Sequence, residues 1–218
     1  MAATGSPHRR RQGEPVANFE EDFDELRQAV GREAARDVAL AGRPRPPPVT
    51  HDDVERARRA DARRVALPGR LLAVMAQNRA RLPDALFIER TVETGELLAA
   101  LRAHHEALID CFLPANARLA GAETAAAAGG GGVEVEARLA LWVRAQHGEQ
   151  LCRASLSLAL DPSLRHGRTR AVVRGALGGL SAAAGAERLY WLAFNGTVHL
   201  YRLCQPLMTA ELCSLAVE

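Results

Sequence analysis

The chain has 218 residues, 48% hydrophobic and 25% charged, with a formal net charge of +2, the balance of one globular domain or one domain with an extended tail. All 28 basic side chains are arginine, so a Schiff-base lysine, a phosphate-loop lysine and lysine acetylation are excluded. So small a net charge makes no case for nucleic acid or an anionic membrane, no apolar run approaches the ~20 residues of a membrane span, and the polar N-terminus carries no visible secretory signal.

Residues Met1 to about Glu14 are polar and basic and read as disordered. From Val16 to Leu40 apolar side chains recur at helical spacing, through Phe19, Phe23, Leu26, Val30, Ala34 and Val38, with Gly42 as the stop. Arg43-Pro44-Arg45-Pro46-Pro47-Pro48 reads as a stiff polyproline spacer. Thr50 is a good N-cap, with Asp52 and Asp53 where the helix dipole favours anions. Val54–Arg64 is so polar that it predicts only an exposed helical turn or two, or a lead-in. The packed domain is therefore expected over residues 65–218, behind an N-terminal region of residues 1–64 that is mobile, with one helix and the spacer.

Within that domain, Leu71, Leu72 and Met75 mark a helix from Gly69 to Arg81, stopped by Leu82-Pro83. A second helix is expected from about Glu93 to Leu113, ended by Pro114. Ala122 to Gly132 reads as a flexible surface loop. The period then changes to two: Val133, Val135, Ala137, Leu139, Leu141 and Val143 alternate with charged residues, predicting a half-buried strand. After a turn at Gln146–Glu149, Leu151 to Leu160 follows as its partner, and Asp161-Pro162-Ser163 breaks it. A helix from about Arg165 to Ala184 contains Gly178 and Gly179, which cost about 1 kcal/mol each relative to alanine and suggest close packing or an early break. Asn195-Gly196 between Arg188–Phe194 and Thr197–Leu203 predicts a final hairpin. The expected fold is α+β, with one antiparallel sheet packed by helices.

Catalytic constellations do not emerge. His104 and His105 are adjacent, so on a helix they point about 100° apart and cannot share a metal. Cys111, Cys152, Cys204 and Cys213 form no CxxC pair, lie at no metal-ligand spacing from histidine and sit in apolar settings. Gly129–Gly132 lacks the GK[ST] ending of a phosphate loop. Trp142, Tyr190, Trp191 and Tyr201 are expected to fill the core and the sheet faces. The chain reads as a non-enzyme without cofactor or metal, with interaction as its function.

Arg70-Leu-Leu-Ala-Val-Met-Ala-Gln-Asn-Arg-Ala-Arg-Leu-Pro83 resembles the first core helix of the comet family, HORMA-like proteins that silence the spindle checkpoint, at Leu71, Leu72, Val74, Met75, Gln77, Leu82 and Pro83. The order of the later elements is also similar, over roughly Val65 to Leu203. The resemblance implies a HORMA-like fold and an adaptor that binds a closed mitotic-arrest-deficient HORMA protein and presents it to a AAA+ ATPase. Its role would be checkpoint silencing or meiotic HORMA remodelling, in the nucleus and cytoplasm. It also implies partner-binding residues: Gln77 and Met75 on the first helix, Val173 and Arg174 on the central one. Cys204 to Glu218 would have to supply the C-terminal belt strands. As an alternative, Leu189–Tyr201 looks like the closing hairpin of structural subunits of tRNA-splicing endonuclease. A sheet-dimerising viral or bacterial adaptor is a further alternative.

Overall fold

A computed structural model describes residues 15–40, 50–122, 133–157, 162–185 and 187–204. Every regular element among them is helical. The N-terminal 14 residues, the polyproline spacer, the Ala/Gly tract beyond Ala122, the break at Asp161 and the proposed belt segment after Cys204 lie outside the described residues. The chain divides into two compact units, Met1–Phe87 and Ile88–Glu218.

The first unit holds α1 (Pro15–Leu40) and α2 (His51–Asn78), which pack on each other. In α1 the expected stripe is the buried face: Phe19, Phe23, Leu26 and Val30 are shut away from solvent, whereas Val38 is 76% exposed. Their 4-3-4 spacing keeps one side of the helix against the core. Phe19 and Phe23 stack with ring centroids 5.5 Å apart. Asp37 of α1 accepts two hydrogen bonds from the Arg64 guanidinium of α2, at 2.8 and 2.6 Å, a planar bidentate match. The helix α2 runs unbroken through the stretch that polarity marked as a lead-in, and through Pro68. Among its described side chains the buried ones are Leu67, Leu71 and Met75.

The unit boundary falls within α3 (Asp84–Ala100). This helix ends well before Pro114. The Ala103 N–H bonds to the Leu98 carbonyl (2.9 Å) and the Arg102 N–H to that of Ala99 (3.0 Å), with Arg102 left-handed at φ 63°. That is a Schellman stop with arginine where glycine is usual. An L side chain in this region costs about 1–2 kcal/mol. Arg102→Gly is therefore expected to raise stability by about 1 kcal/mol, read as a higher midpoint in a thermal melt; an unchanged or lower midpoint would mean that the arginine side chain holds something in place.

The chain then passes Pro114 without breaking. A short α4 (His104–Glu106) leads into a π-helical segment (Ala107–Phe112) and on into α5 (Leu113–Leu119). The Leu113 N–H reaches back five residues to the Leu108 carbonyl. In an ordinary helix the Pro114 ring would crowd the Asp110 carbonyl. The wider turn relieves that crowding, and the extra residue turns both Cys111 and Phe112 inward.

The expected sheet is absent among the described residues, and the α+β HORMA-like architecture is corrected to an all-helical one. The supposed strand pair is one helix, α6 (Val133–Ser157), and the supposed final hairpin is another, α8 (Tyr190–Cys204). Between them runs α7 (Pro162–Ala184), followed by a single 3-10 turn (Glu187–Leu189). The three helices pack on one another, and α6 also packs against α4, the π segment and α5. The alternation from Val133 is carried mainly by Glu, Ala, Arg and Leu, which are strong helix formers. Burial follows a four-residue step, Leu139 then Val143, while Val133 is 75% exposed.

Gly148 and Gly196, expected in turns, are close-packing sites, and of the two options for Gly179 the structure shows close packing. Each of Gly148, Gly179 and Gly196 lies inside a helix with a neighbouring side chain against its Cα. For Gly196 those neighbours are the His147 ring and Leu180, so Asn195-Gly196 is a helix–helix contact. The Thr197 hydroxyl donates to the Phe194 carbonyl (2.6 Å) and settles itself within the helix.

Candidate functional site

Four successive residues of α6, His147-Gly148-Glu149-Gln150, are all buried. Four residues sweep about 300° of a helix, so α6 is enclosed on nearly every side here. Each has its own neighbour. Gly148 receives the Phe112 ring, which also lies against Gly95 of α3. The Glu149 carboxylate accepts from Asn116 Nδ2 (2.6 Å) and from Arg153 Nε (2.8 Å). The Gln150 amide lies against Gly175 of α7, and the His147 ring against Gly179 and Gly196.

His147 also lines a cavity of about 330 Å3 with His199, Asn195, Trp191 and the Arg144–Glu96 ion pair. Arg144 donates to both Glu96 oxygens, at 2.9 and 2.6 Å, and this bond raises the guanidinium pKa further. The His147 and His199 ring centroids are 6.3 Å apart. Burial first, and His199 second, push the His147 pKa down to about 4. Its Nε2 is buried without a hydrogen-bond partner among the described residues. The imidazole therefore stays neutral across the physiological range.

The thiols are equally quiet. Burial, then Asp110 and Cys152, push Cys111 up to about 12, and burial, then Glu149, pushes Cys152 up to about 11. His104 Nδ1 stands 4.0 Å from Cys152 Sγ, and its own pKa is lowered by burial and by Arg102. Thiols held this high are protonated at neutral pH and poor nucleophiles. Among the described residues no group of three or more His, Cys, Asp or Glu could hold a metal ion, and no helix is long and apolar enough to cross a membrane.

The residues singled out for partner binding fall in separate units. Gln77 is exposed and Met75 is buried, both on α2 in the first unit. Val173 and Arg174 are on α7 in the second, where Val173 packs against the Val172–Ala176 cluster and Arg174 is exposed.

Among the described residues a line of exposed apolar side chains lies elsewhere, on α8. Trp191, Phe194, Val198 and Tyr201 are 55%, 70%, 44% and 59% exposed. Their spacing of 3-4-3 places them in one line along the helix. The opposite side is anchored by Leu192, which joins Leu139, Val143, Ala183 and Leu189 in the core. The expectation that such aromatic residues fill a core and sheet faces is thus corrected for Tyr190, Trp191 and Tyr201, which are exposed, while Trp142 does pack against the core. Read at period two, the four residues of the line split across the faces of a hairpin. Read at period 3.6, they fall on one stripe, and that signal was present in the sequence.

Comparison with known proteins points to a ciliary family. A family model described as cilia- and flagella-associated protein 54 matches residues 62–218. The curated cilia- and flagella-associated protein 54 of Chlamydomonas reinhardtii is 38% identical over 89 residues, which are 39% of this chain and 3% of that protein. No solved structure matches. The family match overturns the comet-family resemblance, which rested on one short amphipathic motif that any core helix can show and on an order of strands and helices that the helical fold does not have. With it fall checkpoint silencing and meiotic remodelling, the closed HORMA and AAA+ ATPase partners, and the nuclear and cytoplasmic placement. The tRNA-splicing and sheet-dimerising alternatives gain no support, since both needed a hairpin that is a helix.

Proposed function

This chain belongs to the cilia- and flagella-associated protein 54 family, and from that premise we propose that it is a non-catalytic helical docking module of a cilium or flagellum. The observation that carries the reading is the aromatic stripe of α8. A monomeric surface seldom keeps two tyrosines or tryptophans and a phenylalanine in line, and such side chains dominate binding energy at protein interfaces. The occupant we assign is a helix of another ciliary component. Trp191 and Tyr201 stand ten positions apart on α8, a straight apolar line of about 15 Å. None of the four stripe residues is charged, so the matching face is an uncharged 3-4 stripe.

The test uses the tagged chain in a flagellated cell. Phe194→Glu and Tyr201→Glu are expected to lower its share in isolated flagella at least tenfold. Thermal stability should stay within about 0.5 kcal/mol of the parent, as for other exposed positions. Ile109→Glu, at a position 48% exposed on the π segment, serves as the reference and should be retained. Unchanged retention of the α8 variants, or equal loss of the reference, would remove the proposal.

A further inference from the structure

Independently of the α8 stripe, a cleft of about 450 Å3 opens between the π segment, α6 and α7. Leu108, Leu156 and Val172 give it apolar lining, and Gln150, Arg153 and Arg168 give it polar groups. Gln150 is only 7% exposed and lines the cleft. The amide is not there by accident of packing: on Gly175 a Cβ would stand 2.7 Å from both Gln150 Cδ and Nε2, so α7 carries no side chain where the amide lies. The one carboxylate of the cleft, Glu149, is already held by Asn116 and Arg153, and the Ser157 hydroxyl donates to the Arg153 carbonyl. Two guanidiniums against one engaged carboxylate leave the cleft net positive.

We propose that this cleft binds a small organic oxyanion, a phosphate or carboxylate carried on an apolar body. The anion accepts hydrogen bonds from the Arg168 guanidinium, the free N–H groups of Arg153 and the Gln150 amide, and the apolar body covers Leu108, Leu156 and Val172. Arginine suits both oxyanions because its planar fork matches their paired oxygens.

Isothermal titration of the purified chain tests this with phenyl phosphate and benzoate, using inorganic phosphate and phenol as probes that each lack one half of the ligand. Saturable binding of phenyl phosphate, of benzoate or of both is expected, and which of them binds tells phosphate from carboxylate. Inorganic phosphate and phenol should bind at least tenfold more weakly. Arg168→Ala, at an exposed position, should weaken binding at least tenfold without altering the melt, and Gly175→Ala, which takes the space of the amide, should do the same at whatever stability it retains. No binding by either organic anion up to about 10 mM, equal binding of inorganic phosphate, or an unchanged affinity in Arg168→Ala would overturn the proposal; at that concentration the expected site is well populated for any affinity of ordinary size for so small a ligand.

Discussion

Replacing Phe112 with alanine is expected to cost about 4 kcal/mol, the size of a large aromatic deletion in a packed core. Equilibrium unfolding in urea reads it directly, with a fall in melting temperature on the order of 10 °C. The ring is fully buried at the end of the π segment and lies against two glycines, Gly95 of α3 and Gly148 of α6. The partner substitution makes the expectation sharper. Alanine for a mid-helix glycine normally stabilises by about 1 kcal/mol. At Gly148 the new Cβ would overlap the Phe112 ring, and overpacking costs about 1–3 kcal/mol. Gly148→Ala alone should therefore destabilise. In the Phe112→Ala background the ring is gone, and the same substitution should become neutral or stabilising. That reversal of sign is a coupling between touching residues. Additive effects would show that α6 and the π segment do not meet at this point.

The second large effect is on pH. Neutral His147 is held among the His199 ring, the Gly179 and Gly196 backbones and the Arg144–Glu96 pair, with a pKa near 4 against the ordinary 6.5. Above pH 6.5 the imidazole is neutral in both folded and unfolded chains, and its contribution is fully present. As pH falls below 6.5 the unfolded chain takes up the proton first, so stability is lost progressively until about pH 4, where the folded form also protonates and the loss levels off. A shift of this size corresponds to about 3 kcal/mol in all, with about 2 kcal/mol gone by pH 5. His147→Gln should flatten most of that slope, the remainder coming from His104, whose pKa is lowered in the same direction. Urea midpoints at pH 7.5, 6 and 5 measure it. An equally steep acid loss in His147→Gln would place the titrating group elsewhere.

Much of the first unit was legible. The α1 stripe from Phe19 to Val30 has a clean helical period and no competing signal, and it is buried as that period requires. The second unit misled for three physical reasons. The alternation after Val133 fits a strand over ten residues, but the same residues are strong helix formers, and the neighbours that enclose α6 are long-range. The Asn195-Gly196 pair is a hairpin signal only when its glycine is needed for a positive φ; here it is needed so that His147 and Leu180 can approach. Pro114 is a helix breaker only where the turn cannot widen, and the π segment widens it. The α8 stripe was in plain view as residues 191, 194, 198 and 201, and was lost because the segment was divided between two strands. The polar cleft around Gln150 was not legible, since its members come together only through the packing of α6 on α7 and the π segment.

The most direct measurement is photo-crosslinking in intact flagella from a chain carrying a photoreactive phenylalanine analogue at position 194, with the same analogue at position 109 for comparison. An adduct is expected from position 194 whose crosslinked peptide, identified by mass spectrometry, belongs to a ciliary protein and carries an uncharged apolar stripe at 3-4 spacing, with no such adduct from position 109. A crosslink map that is the same from both positions, or an adduct at 194 confined to segments without that stripe, would contradict that expectation.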